Sequence, residues 1–330
     1  MRTRSLTALL AAFLTLFAAP IAAPAAEART VPPTGTAPVH TGFMSAWAAS
    51  VQNPGRMPAG VNDYSCQSET HPEPVVLVHG TWANAESSWT PLTQQLLAED
   101  YCVFALNYGD ESGSGMGLVP GVYGTQDLEA SGAEVAAFID DVLARTGANK
   151  VNLVGHSQGG TQLRSYVHLH GGQDKVRSLI GLGPNNHGTT LAGIAALGSA
   201  IQQLGVPVLD VAGIPLGQAG VQQSVGQPLW EKLNRTGETF AGIDHTVIAT
   251  QYDLVVSPFN SQYLTETPGH SVNNIRLQDG CEQDTSDHLS ILYSPRAQWY
   301  VLNALDPSYG QRTPQPCTRV YPFGGPQGSS

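Results

Sequence analysis

From Val75 onward the apolar positions change period in a regular way. Val75 to His79 is a short continuous apolar run of strand length, and Trp89 to Ala98 has the spacing of a helix. Tyr101 to Leu106 reads as a second strand. Between Asp127 and Arg145, Leu128, Val135, Phe138, Ile139, Val142 and Leu143 fall on one face of a helix, with Gly147 as its stop signal. Val151, Leu153 and Val154 then form a β-branched run, followed by the polar-apolar segment Gln162 to His170. Val176 to Leu182, His245 to Thr250 and Ser271 to Leu277 are three further strands, and Ile291 to Leu305 is a closing helix. Strands that alternate with helices predict a mostly parallel sheet covered on both faces.

Three stretches depart from this alternation. Thr189 to Trp230 is rich in Leu, Ile, Val, Ala, Gly and Gln and carries a single charge, Asp210. An insertion of that kind directly after a strand reads as a cap or lid over a site that meets apolar substrate, or else as an ordinary pair of buried helices. Arg29 to Asn62 and Tyr309 to Ser330 are rich in Pro, Gly and Ser, the composition of wrapping or loose tails. At the start, Arg2 and Arg4 precede an apolar run from Leu6 to Phe17 and the small-x-small triplet Ala26-Glu27-Ala28. That is the pattern of a secretory signal peptide cleaved near Ala28, and the run is shorter than the roughly 20 residues a membrane span needs. The expected organisation is a signal peptide at 1–28, an N-terminal extension at 29–62, a catalytic domain at 63–320 with its cap at about 189–230, and a tail at 321–330.

Composition narrows the classes of function. Only 12% of the 330 residues are charged and the formal net charge is −11, which argues against a nucleic-acid partner. Export to an oxidising compartment predicts that the four cysteines, Cys66, Cys102, Cys281 and Cys317, form two disulfides. Cys66 precedes the first clear strand and Cys102 starts the next, so Cys66 with Cys102 is the favoured pairing, leaving Cys281 with Cys317. A zinc site lacks the clustered Cys and His spacing it would need.

The chemistry is concentrated in Lys150 to Thr161, where an apolar strand runs into Gly155-His156-Ser157-Gln158-Gly159 and then into helix-compatible sequence. This is the pattern of a nucleophile elbow, in which small residues flank a serine held on a tight turn. A serine hydroxyl needs a base, and the base needs a carboxylate to fix its tautomer. Asp253, just past a strand in Thr250-Gln251-Tyr252-Asp253-Leu254, is the candidate acid; Asp244 is the alternative, at the opposite end of that strand. His288, in a loop after the last strand, is the candidate base, whereas His245 and His270 lie on the other edge of the sheet. Developing negative charge on the substrate oxygen calls for two backbone N–H donors. Gln158 supplies one, and Thr81 in His79-Gly80-Thr81-Trp82 is preferred to Trp82 for the other. Asp279, Asp284 and Asp287 read as a solvated turn rather than a calcium site, and neither metal nor cofactor is expected.

Val-Val-Leu-Val-His-Gly-Thr, Val-Asn-Leu-Val-Gly-His-Ser-Gln-Gly-Gly and the segment Leu182 to Leu191 together resemble the class 2 lipases, secreted bacterial triacylglycerol lipases of the α/β-hydrolase fold. Tyr-Asp-Leu-Val-Val-Ser-Pro and the stretch from Asp279-Gly280-Cys281 to His288 are similar to them too. The resemblance covers roughly Val75 to Leu305. It implies carboxylic-ester hydrolysis by a triad of Ser157, Asp253 and His288, with oxyanion donors at Thr81 and Gln158. Further expectations are a lipid or other ester substrate, contact with a lipid-water interface through the cap, and a monomer. A short-chain carboxylesterase, a polyester hydrolase, an acyltransferase and an inactive hydrolase fold used for binding are the competing readings.

Overall fold

The computed structural model describes residues 35–111, 115–202 and 217–328. The expected signal peptide, and residues 203–216 of the expected cap with Asp210, lie outside the described residues. Among the described residues no helix is long and apolar enough to cross a membrane.

Among the described residues six strands form one parallel sheet: β1 Val75–Val78, β2 Val103–Leu106, β3 Val151–His156, β4 Val176–Leu182, β5 Asp244–Ala249 and β6 Val272–Arg276. Their order is β2-β1-β3-β4-β5-β6. β1 pairs with β2 through Val75↔Val103 and with β3 through Val75↔Asn152, so the chain reverses its direction of travel between β1 and β3. In such a sheet the crevice at the carboxyl ends of the strands on either side of that reversal is where ligands bind.

The pleat divides the core into two layers. Val75, Leu77, Val103, Ala105, Val154 and Ile180 face one way, with α1 Phe43–Gln52, α2 Ala85–Ala98 and α8 Pro295–Leu305. Val76, Val78, Phe104, Leu106, Val151 and Leu153 face the other, with α3 Leu128–Thr146 and α4 Gln158–Leu169. The strands β1 to β3 are buried on both faces, which is why they read as near-continuous apolar runs instead of alternating.

Element ends differ from the periodicity where local hydrogen bonding decides them. Helix α2 begins at Ala85, a turn earlier than expected, because the Asn84 side chain accepts from the Ser87 N–H at 2.8 Å and the Ser87 hydroxyl accepts from the Asn84 N–H in return. Helix α3 starts after Asp127, whose carboxylate accepts from the Ala130 N–H, and stops at Gly147 in the left-handed region (φ 74°), as its signals predict. The closing helix begins at Pro295, not Ile291: Ser290–Tyr293 is a separate 3₁₀ turn, and Ser294 caps α8 by accepting from the Ala297 N–H.

The region between β4 and β5 contains α5 Leu191–Gln202, α6 Gly217–Gln222 and α7 Pro228–Asn234. Ala219, Leu229, Trp230 and Leu233 pack with Leu128 at the start of α3. The described residues of the two tail segments pack against the rest of the chain. In the first, Phe43, Ala46 and Trp47 of α1 are fully buried, and Asn62 hydrogen-bonds both backbone groups of Ala105, occupying the free edge of β2. Arg56 and His40 from the same segment pair with the fully buried Glu86 of α2. In the second, after the short helix α9 Tyr309–Arg312, Val320 bridges to Asp284 and accepts from Thr285 N–H at 3.1 Å. The cysteines pair as Cys66–Cys102 and Cys281–Cys317, as expected.

Candidate active site

Ser157 sits between β3 and α4 with φ 53°, ψ −122°, a backbone conformation that a non-glycine residue adopts only under constraint. The constraint is visible on both sides. The Ser157 N–H donates to Leu182 O at 3.1 Å, and its carbonyl accepts from Gly160 N–H at 3.0 Å and Asn185 N–H at 3.2 Å. A Cβ on Gly155 would lie 2.7 Å from the Gly159 carbonyl carbon, and one on Gly159 would lie 2.1 Å from Val78 O. The two glycines of the motif are therefore demanded by backbone crossing backbone, not by flexibility.

The loops after β5 and β6 bring the candidate acid and base together. The His288 Nδ1–H donates to Asp253 Oδ2 at 2.7 Å, with both residues buried. Asp253 Oδ1 accepts from the N–H groups of Val255 and Val256, each at 2.8 Å, and Oδ2 also accepts from Gln262 Nε2 at 2.8 Å. Four donors thus hold one carboxylate, and Nδ1 of His288 is fixed as the protonated nitrogen. The other nitrogen, Nε2, is buried and has no partner among the described residues. An imidazole so oriented presents a free acceptor in a water-poor place, as a general base requires.

Gly80 and Gly183 show how closely these loops meet. A Cβ on Gly80 would lie 3.0 Å from Ser157 Cβ, and one on Gly183 would lie 3.4 Å from both Asp253 Oδ2 and His288 Nδ1. His156, beside Ser157, reaches across to the same place: its Nε2–H donates to His288 O at 2.8 Å, and the two rings lie 4.8 Å apart. Burial pushes the His156 imidazolium well below the usual range, so His156 acts as a neutral strut under the His288 loop. Thr250 braces that loop from the other side, its hydroxyl donating to Ser286 O at 2.6 Å.

Thr81 and Gln158 are brought together by a third loop. A Cβ on Gly124 would lie 3.1 Å from Gln158 Oε1 and 3.3 Å from Thr81 Cα. The Gln158 side chain donates to Gly124 O at 3.2 Å, and its Oε1 lies 2.8 Å from the Tyr108 hydroxyl, which also reaches His79 O at 2.9 Å. With its side chain stitched into the wall, Gln158 presents the first backbone N–H of α4, at the positive end of the helix dipole. Thr81 donates its hydroxyl to Gln223 Oε1 at 3.0 Å, which ties the loop after β1 to the region between β4 and β5. Trp82 is fully buried at φ 56°, and its carbonyl accepts from Trp47 Nε1 at 3.0 Å, so α1 also anchors this loop.

The other candidates lie elsewhere. Asp244 is at the opposite end of β5, in an exposed ion pair with Arg177 at 2.6 Å. His245 and His270 are on that same edge; burial lowers His245 to about 4. Asp284 accepts from the Ser286 and Ser294 hydroxyls, Asp287 from Ser290 and the Phe323 N–H, and Asp279 from Arg276, so the three carboxylates serve separate partners. Among the described residues no three His, Cys, Asp or Glu side chains gather as a metal site would require. Periodicity and motif matching have no means of finding Thr250, Gln262 and Tyr108, because their roles depend on loops distant in sequence. For His156 alone a local signal exists, its place inside the elbow pentapeptide.

Comparison with known proteins gives a consistent picture. A family model for the alpha/beta hydrolase fold matches residues 73–200, from β1 into α5. A triacylglycerol lipase of Pseudarthrobacter phenanthrenivorans is 33% identical over 96 residues, 28% of this chain and 27% of that protein. One of Vibrio cholerae is 35% identical over 89 residues, 26% of this chain and 28% of that protein. The match therefore spans little more than a quarter of the length of these curated relatives. Among solved structures, Aspergillus fumigatus lipase B superimposes with a TM-score of 0.60 at 23% identity, over 81% of this chain and 60% of that one. With the parallel sheet, the elbow after β3 and these likenesses in place, the chain has the α/β-hydrolase fold.

Proposed function

We propose that this protein is a secreted serine hydrolase that cleaves carboxylic esters of fatty acids, of the triacylglycerol lipase type and with the sequence pattern of the class 2 lipases. The observation that carries the reading is the 2.7 Å Asp253–His288 hydrogen bond, with His288 Nε2 left without a partner among the described residues and the His288 carbonyl bonded by His156, the residue before the strained Ser157. In this mechanism His288 Nε2 removes the proton as Ser157 Oγ attacks the ester carbonyl, and Asp253 stabilises the imidazolium. The N–H groups of Thr81 and Gln158 receive the oxyanion. His288 then protonates the leaving alcohol, and a water activated by the same nitrogen hydrolyses the acyl-enzyme.

The lipid preference rests on the segment between β4 and β5 acting as a cap. Val221 and Val225 of that segment are exposed apolar side chains, and so is Leu254, next to Asp253 in the loop after β5. The lipase names of the curated relatives point the same way. Secretion is supported by the amino-terminal sequence pattern and by the two disulfides. A monomer with no resident metal or cofactor completes the reading.

The test is the initial rate on a long-chain triglyceride dispersion beside a short soluble ester, for the wild type and Ser157→Ala. Turnover of both by the wild type, with a loss of about 10⁴-fold or more in Ser157→Ala, is the expected result. Turnover of the short ester alone would make the protein a carboxylesterase. Activity surviving in Ser157→Ala would remove the triad assignment.

A further inference from the structure

Gln262 lies nine residues after Asp253, at the end of the 3₁₀ turn Phe259–Gln262, and is fully buried. Its Nε2 faces two acceptors, Asp253 Oδ2 at 2.8 Å and Val256 O at 3.1 Å. The amide orientation follows from these partners, since the flipped form would aim Oε1 at two oxygens. Asp253 Oδ2 is the same oxygen that accepts the His288 Nδ1–H. The turn is clamped from the loop after β4: Asn186 Nδ2 donates to Gln262 O, and His187 Nδ1 to Ser261 O at 2.7 Å. Asn186 is held in turn by Arg164 of α4, which donates to Asn186 O at 2.9 Å.

Resting on the triad reading above, we propose that Gln262 is a positioning residue for the hydrolysis: its amide donor fixes Asp253 Oδ2 and limits how strongly that oxygen holds the imidazolium of His288. The Oδ1 oxygen has two backbone donors of its own, so without Gln262 the Oδ2 oxygen would keep the His288 N–H as its single donor. Oδ2 would become the more basic oxygen and His288⁺ the more stable species. A hydrogen bond from a neutral amide suits this place, because a cation there would compete with His288⁺ for the same charge.

Other titrating groups near the pair do not mask the effect. His156 faces His288 from β3 and stays neutral through burial, and His79, next along, is lowered by burial to about 4. Asp287 adjoins His288 in its own loop, with its oxygens on Ser290 and the Phe323 N–H. On the far side of Gln262, His187 is paired with Glu238 at 2.8 Å, and Arg164 is engaged by carbonyl and amide acceptors.

The experiment compares Gln262→Met, which fills the space without a donor, with Gln262→Ala, which leaves room for a water to donate to Asp253 Oδ2 and Val256 O. In Gln262→Met, the loss of fixation of the Asp253 carboxylate should lower kcat on the order of 10-fold with KM within about 2-fold, while the more basic Oδ2 should move the acid limb of kcat/KM up by about half a pH unit. Gln262→Ala should be the less stable variant in urea and yet the more active, an order that loss of packing alone would reverse. The low-field proton resonance of the His288 Nδ1–H should shift in Gln262→Met, a readout that needs no turnover. An unmoved acid limb and resonance, or activity falling in the same order as stability, would overturn the proposal. Asp253→Asn separates the two readings: if it retains activity the triad falls, whereas if it is inactive and Gln262→Met matches the wild type, only the role of Gln262 falls.

Discussion

Gly159 carries the strictest steric demand in the elbow. A methyl group there would sit 2.1 Å from Val78 O and 2.7 Å from His79 O, both backbone atoms that cannot rotate away. Gly159→Ala must therefore separate α4 from β1 or fail to fold, and a loss of about 4 kcal/mol or more is expected from the urea unfolding midpoint. A variant within about 0.5 kcal/mol of wild type would show that the crossing is looser than described. The motif is legible in the sequence because this demand falls on neighbouring residues. Chain order and strand ends are also enough to single out Asp253 and His288 as candidates, and the two side chains meet in a hydrogen bond. Gln262 is not: a glutamine in a Ser-Gln-Tyr turn has no distinguishing local pattern, and only folding puts its amide on Asp253.

Helix α2 shows the same division at the scale of an element. Pro91 lies inside it and supplies no N–H to Ser87 O, four residues back. The missing donor is replaced from a remote segment: the Tyr293 hydroxyl donates to Ser87 O at 2.7 Å. Tyr293→Phe should cost about 1–3 kcal/mol in denaturant unfolding, because it leaves a buried carbonyl unsatisfied. In a Pro91→Ala background the same change should cost less, since an alanine at that position restores the helical donor; an equal cost in both backgrounds would show that Tyr293 acts through packing alone. The helix itself follows from apolar spacing, but its early start comes from the Asn84–Ser87 capping box, a signal that periodicity passes over. Apolar spacing also starts the closing helix four residues too early, because Ile291 and Leu292 are as apolar as helix residues, while Ser294 and Pro295 mark the true beginning.

Across the whole molecule the buried histidines make stability depend on pH. His79 and His245 are each lowered to about 4 by burial, and His156 lies well below its ordinary value for the same reason. Unfolded histidines titrate near 6.5, so below about that pH the unfolded chain binds protons that the folded protein refuses. Stability is then fully present above about 6.5 and declines toward about pH 4, each of these residues adding up to about 1.4 kcal/mol per pH unit to the slope. The His187–Glu238 pair has the opposite sign on its histidine side. The hydrogen bond to Glu238 outweighs burial and raises His187, so this contribution is complete below about 6.5 and is lost as pH rises through the raised value. Unfolding free energies measured between about pH 4 and 6.5 should rise with pH; a flat profile would mean that the buried histidines take up protons without unfolding.

The sequence by itself determined the alternation of strands and helices, the parallel sheet, the elbow at Ser157 and the pairing of its cysteines. Those features depend on periodicity, on turns closed within a few residues, or on strands that follow one another. The tertiary structure decided what depends on distant loops arriving at one place. It placed a helix, Phe43–Gln52, within the Pro- and Gly-rich amino-terminal stretch, and the buried Trp47 of that helix anchors the loop of Thr81 and Trp82. It set Val320 against the His288 loop, and it gave Asp253 its four donors. The physical reason is that hydrophobic period is written locally along a chain, whereas satisfying a buried carboxylate requires partners that only the closed fold can deliver.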